Sequence, residues 1–267
     1  MLTPMLFALL LLGPFWLVFF PCVIVGHRVG VLLHEYMHGI PFRSYRHNLW
    51  VVSFYDGMLL FFGLLELFRG THLAHHKWLN TERDPAFQSA QDKPQQGQIL
   101  GLVGTFDVVQ YFRYMFQALG GRHPYVRPRR IALDAALSVS WIAVWAYAGR
   151  FDMVPKLLAI SLWTTLMPVY FRGAVEHHSH PDDPGFSNEY KVLIPLFNLN
   201  RHVHHHEQPR LPWYLLEFRT PAPLNTWHYF THWFRVYVKQ DYVLMRPMAR
   251  GGSASGRTSD EQDRNPG

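Results

Sequence analysis

Cysteine is almost missing from this sequence: Cys22 is the only one in 267 residues. It lies inside an apolar run, so no internal disulfide can form and no thiolate metal site can be built. Any metal chemistry must therefore rest on imidazole and carboxylate. Acidic residues are also scarce, 19 against 25 lysines and arginines, which leaves a formal charge of +6. The basic residues flank apolar spans, which fits contact with anionic headgroups and argues against a nucleic-acid partner. There is no internal repeat beyond a recurring histidine pattern.

Histidine is abundant: there are 17, of which twelve fall into four short clusters. The apolar residues are segregated just as strongly. Leu2 to Leu33 is free of charge until Arg28, long enough to span a bilayer, as one long helix or as a hairpin broken at Pro14 or Pro21. It lacks a basic leader and a small-residue cleavage site, so a signal peptide is not expected. Further apolar runs cover Trp50–Phe68, Ile131–Gly149 and Met153–Phe171, the last two joined as a helical hairpin. The stretch from Arg69 to Arg130 is rich in arginine, so the positive-inside rule places it in the cytoplasm. Ile99–Leu119 and Trp227–Val238 are expected to lie in the membrane interface. The tail over 249–267 has the composition of a disordered segment.

The first histidine cluster is His34-Glu-Tyr-Met-His38, whose i, i+4 spacing puts two imidazoles on one helix face. Alone, this is also a zinc-protease signature, with Glu35 as general base. The second cluster, His72-Leu-Ala-His75-His76, and the last, His202-Val-His-His205-His206, both read H-x-x-H-H. His204 points about 200° away from His202 and is left out. The remaining cluster is Glu176-His177-His178-Ser-His180. A single zinc needs three or four ligands; so many imidazoles suffice for two metals, and a neutral nitrogen donor set suits iron. Clusters sharing one site must lie on one side of the membrane. The run Trp50–Phe68 is therefore expected to dip in and return, or to lie along the interface, rather than cross.

These motifs resemble the membrane fatty acid desaturase/hydroxylase superfamily, which includes carotenoid ketolases and hydroxylases. The matching stretches are HEYMHG at 34–39, THLAHHKWLNTERDP at 71–85, RGAVEHH at 172–178 and NLNRHVHHHEQPRLPW at 198–213. The resemblance implies an all-α integral-membrane bundle over 1–248, with a cap of cytosolic helices and two irons between cap and bundle. It assigns His34, His38, His72, His75, His76, His177, His202, His205 and His206 as metal ligands. Asn198 falls where the family often has a polar residue close to iron, although it could equally cap a helix. Glu35, Asp84, Glu176, Glu207 and His180 are candidates to lie near the metals, since ligating histidines donate their other N–H to such groups.

The activity implied is oxygen-dependent oxidation of a lipid acyl chain, desaturation first and hydroxylation as its variant. An alkyl C–H bond has no acidity for acid–base catalysis to exploit, so the oxidising power must come from a cofactor. The sequence has no flavin or dinucleotide fingerprint, and His180-Pro-Asp-Asp is not the His-Pro-Gly-Gly of a fused cytochrome b5 domain. A ferredoxin-like or similar external electron donor is therefore expected. The alternatives are a carotenoid ketolase or hydroxylase, an intramembrane zinc protease, and a non-catalytic metal-binding membrane protein.

Overall fold

The computed structural model describes residues 1–79, 125–167, 176, 178–179, 187–191, 200–235 and 243–244. Asp84, His123, His177, His180, Asn198, the expected interfacial stretch 99–119 and the tail from 249 lie outside them.

The described residues are mostly helical. The first apolar run is broken at Gly13–Pro14 into α1 (Leu2–Leu12) and α2 (Phe15–Met37). Pro21 is the seventh residue of α2 and does not end it; the helix forgoes there the one backbone bond that an N–H at this position would make to Leu17 O. Next come α3 (Tyr45–Met58), α4 (Leu64–Trp78), α5 (Pro128–Tyr147) and α6 (Met153–Met167). The expected hairpin of the two later apolar runs is α5 and α6, joined by a turn over 148–152. A short α7 (His202–Glu207) and α8 (Thr226–Phe234) follow. Two pairings of two-residue strands complete the set. His178–Ser179 runs antiparallel to Val243–Leu244, and Tyr190–Lys191 runs parallel to Leu224–Asn225.

α2 is the centre of the bundle, packed by α1, α3 and α6, while α3 lies along α5. Leu6, Leu10, Cys22, Val25, Leu33, Val52, Leu60, Leu157 and Ile160 are buried in one apolar core. α2 is the one described helix that is both long and apolar enough to cross a membrane; Leu2–Leu12 and Met153–Thr164 are apolar but shorter.

The run Trp50–Phe68 reverses midway. α3 stops at Met58, and Leu60, Phe62 and Gly63 take φ of 59°, 54° and 88°, all in the left-handed region. Gly63 must be glycine on two counts: its φ, and a Cβ there would lie 2.7 Å from Ile131. Asp56 stabilises the reversal from beneath. Its Oδ1 accepts from Gly63 N at 2.7 Å and its Oδ2 from Leu65 N at 2.9 Å, satisfying donors that the first turn of α4 would leave bare. Ser138 of α5 accepts from Phe62 N at 3.1 Å. A charge inside an apolar run thus marks the turn.

Candidate metal centre

Three helices bring the histidines together. α2 ends at Met37 because Gly39, at φ 74°, turns the chain back; its N–H donates to Tyr36 O and the next N–H donates to Glu35 O. His34 and His38 are left side by side on the last turn. α4 is fixed one turn before its own histidines by Arg69, which is buried with Glu66 in a two-point ion pair of 2.6 and 2.7 Å. Arg69 also donates to Tyr125 O and to the Tyr45 hydroxyl, while Glu66 accepts from Arg127 N. α7 comes in from the other end of the chain and places His205 Nε2 3.1 Å from His76 Nε2.

The result is two adjoining clusters. In the first, donor atoms of His34, His38, His72, His76 and His205 all lie within 4.8 Å of one another; in the second, those of His75, His202 and His206 do. Each H-x-x-H-H box is divided between them. α4 gives its i, i+4 pair, His72 and His76, to the first cluster and His75 to the second. α7 does the reverse, giving His202 and His206 to the second and His205 to the first. The three histidines of a box therefore do not share one face. Neighbours at i+3 and i+4 diverge by about 100°, and that divergence is what separates the two clusters.

The donor set fits metal ions. His72 Nε2 lies 2.7, 3.0 and 2.9 Å from the Nε2 atoms of His34, His38 and His76. One ring nitrogen has either one lone pair or one hydrogen to offer, so it cannot satisfy three partners by hydrogen bonding. A cation at the centre can. With metal–nitrogen bonds of about 2.0–2.1 Å, donors at right angles stand about 3.0 Å apart, and the spacings of 2.7–3.3 Å within the cluster match. In the second cluster His202 and His206 stand 3.0 Å apart. Burial keeps His38 and His76 neutral, as ligands must be. It pushes His38 down to about 3, with Arg210 adding to the shift, and holds His76 well below its ordinary value, with the neighbouring histidines reinforcing it.

The nearby carboxylates differ from one another. Glu176 is buried, and its Oε2 stands 3.4 Å from His202 Nε2, on the donor side of the second cluster. Glu35 is buried beside His34, but its Oε2 accepts from the backbone N of Trp213 at 3.1 Å, clamping the chain beyond α7 onto α2. Glu207 faces outward and pairs with Arg219 at 3.2 Å. His204, set aside on helical geometry, is turned from both clusters towards Glu217 N and the Arg219 guanidinium. His228 is exposed and His232 lies 3.5 Å from the Tyr190 hydroxyl; neither joins a cluster. His27 is buried in α2 and His47 is exposed. The Glu66–Arg69 support was not anticipated, although a Glu-x-x-Arg pair inside a histidine-bearing helix is a signal that could have found it.

No curated protein and no solved structure matches the chain. The fatty acid desaturase family model matches residues 14–244, nearly the whole length and every histidine box. With two imidazole clusters built from those boxes, the chain belongs to the fatty acid desaturase family, a family of oxidoreductases.

Proposed function

We propose that the protein is an integral-membrane enzyme that desaturates the acyl chain of a lipid, with oxygen as co-substrate and two iron ions as cofactor. The observation that carries this reading is the pair of adjoining histidine clusters, five imidazoles in one and three in the other. His34, His38, His72, His76 and His205 would hold one iron. His75, His202 and His206 would hold the other, with His177 as the family resemblance implies. Bound there, iron supplies the oxygen-activating chemistry that an alkyl C–H bond requires.

The chain's own contribution is placement and dryness. α2 brings one apolar helix directly to the first cluster, and Leu33 and Met37 beside the histidines are buried. Such surroundings exclude water from the reacting carbon. Introducing one double bond while reducing oxygen to two waters takes two electrons and two protons beyond those of the substrate. An external donor, ferredoxin-like or similar, must provide the electrons. The membrane reading is supported by α2, by the shorter apolar helices α1 and α6, and by exposed Trp16, Leu17, Phe20, Val139 and Val144. The reversal at Leu59–Gly63 returns α4 to the end of the bundle where α2 finishes, which fits boxes gathered on one face, taken as cytoplasmic.

The zinc-protease alternative is weakened by Glu35. Its Oε2 is engaged by Trp213 N, and a five-imidazole cluster exceeds what one zinc takes. Lipid mass spectrometry on a host expressing the wild type and His205→Ala tests the proposal. An acyl species two hydrogens lighter, found only with the wild type, supports it. A gain of oxygen on acyl chains would make the enzyme a hydroxylase, and altered pigments in a carotenoid-producing host would make it a ketolase or hydroxylase of that substrate.

A further inference from the structure

The starts of α3 and α5 lie together, and both are basic. Arg130 Nη2 donates to Ser53 Oγ at 2.8 Å and to Leu49 O, which ties the first turn of α5 to the second turn of α3. Around that junction Arg43, Arg46, Arg127 and Arg129 are exposed, and among the described residues none of their side chains has a hydrogen-bond or ion-pair partner. No acidic residue occurs in 39–55 or in 125–133. Among the described residues, the carboxylates that act on Arg130, Asp134 and Glu66, are buried; Glu66 is taken by Arg69 and by Arg127 N. A hollow of about 660 Å³ opens here, lined by Val126, Arg127, Pro128, Arg129, Arg130 and Leu133.

An apolar outer surface begins immediately beyond the arginines on the same two helices. Trp50 and Phe54 of α3 are 46% and 50% exposed, and Val139 and Val144 of α5 are exposed too. Arg130 lies over the Trp50 ring, 5.5 Å from its centroid. An arginine stacked on an outward tryptophan, with unpaired cations on one side and bare apolar side chains on the other, is the arrangement of a membrane–water boundary. The turn after α5 contrasts with it. There Arg150 and Lys156 both donate to Asp152, at 2.9 and 2.7 Å, and are neutralised locally.

We infer that the hollow at the start of α5, beside the start of α3, is a binding site for the phosphate headgroup of an anionic phospholipid, held by Arg127 and Arg129. Arg130 is the wall that joins the two helices. The lipid's acyl chains would lie along the exposed apolar faces of α3 and α5, and the site would sit at the same end of the bundle as α4's Arg69. The inference rests on the membrane reading above.

The test uses the full chain, extracted from membranes and placed in nanodiscs of phosphatidylcholine with a minor share of phosphatidylglycerol. Native mass spectrometry then measures which lipid remains bound. Wild type is expected to retain phosphatidylglycerol preferentially. Arg127→Gln/Arg129→Gln is expected to lose that preference by on the order of tenfold, with histidine-bound metal content unchanged. Arg43→Gln/Arg46→Gln, outside the hollow, should lose less. Equal retention of both lipids by the wild type overturns the inference, as does an unchanged preference in the Arg127/Arg129 variant. Displacement of the lipid by millimolar inorganic phosphate would make this a free-phosphate site and overturn it too. An effect confined to the KM for the reduced electron donor would make it a protein-docking face. A chain recovered without detergent in the soluble fraction would instead defeat the membrane reading itself.

Discussion

The two histidine clusters are built from the same two boxes and yet are not equivalent. The first is completed by His34 and His38 at the end of a long core helix, so four of its five imidazoles sit on two helices packed in the bundle. The second draws two of its three from α7, a helix of six residues, and has a buried carboxylate, Glu176, at its edge. Six residues make less than two turns, so α7 has little helical stability of its own. What holds it is packing: Val31 of α2 against Leu216, and the Glu35–Trp213 clamp just beyond the helix. The lesson is that one histidine cluster is part of the core and the other is imposed by a short helix docked on it.

The largest effect should come from breaking both clusters at their shared helix. His205→Ala removes an imidazole from the first cluster and His206→Ala one from the second. Each is expected to lower product formation by at least about a hundredfold, a loss beyond the 10–100-fold typical of groups behind the ligands. Iron analysis should distinguish them. His206→Ala should lose one iron readily, whereas His76→Ala should loosen both, because that ring also packs against His206 of the second cluster, 4.5 Å between ring centroids. Retention of two irons and full product by either α7 variant would sink the ligand assignment.

Glu176 and Glu207 sharpen the same comparison. Glu176→Ala is expected to weaken the second metal about 10–100-fold, read as iron remaining after dialysis against a chelator, while Glu207→Ala should change nothing. An equal effect of the two would remove the special place given to Glu176. Acid offers a milder perturbation. Burial drives His38 from its ordinary 6.5 down to about 3, so the native state takes up fewer protons than the unfolded chain over that window. The metal-free protein should therefore be most stable above pH 6.5 and lose stability progressively as pH falls towards 3. Thermal unfolding of the metal-free protein across that range should show it, and a flat profile would contradict it.

How much of this was legible in the sequence follows from what each signal encodes. Spacing revealed which imidazoles share a helix face, so the exclusion of His204 and the i, i+4 pairs agree with the structure. It could not reveal that one box serves two centres, because that depends on where a second helix arrives. The expectation that the chain returns within Trp50–Phe68 agrees with the structure in one respect: the run reverses after Met58, and His38 and His72 stand 3.0 Å apart. The place of the turn was also written there, as Asp56 in an apolar run and as Gly63. The distinction among Glu35, Glu176 and Glu207 was not legible: all three are adjacent to histidines in sequence, and only tertiary packing turns one to Trp213, one to His202 and one to solvent.

The smallest expected effect lies furthest from the histidines and tests whether the clusters depend on the reversal beneath them. Asp56→Asn keeps one acceptor where two N–H groups now find carboxylate oxygens, and Asp56→Ala keeps none. Capping losses of this kind cost about 0.5–2 kcal/mol, so Asn should fall near the low end and Ala at or above the high end, because Gly63 N and Leu65 N are left buried. If α4 is registered by this turn, iron binding in the first cluster should weaken in step with stability, since His72 and His76 would move relative to His34 and His38. A destabilised Asp56→Ala protein that still binds iron as tightly as the wild type would show that the Glu66–Arg69 pair alone sets the register of α4. The reversal would then shape the bundle without positioning the metal.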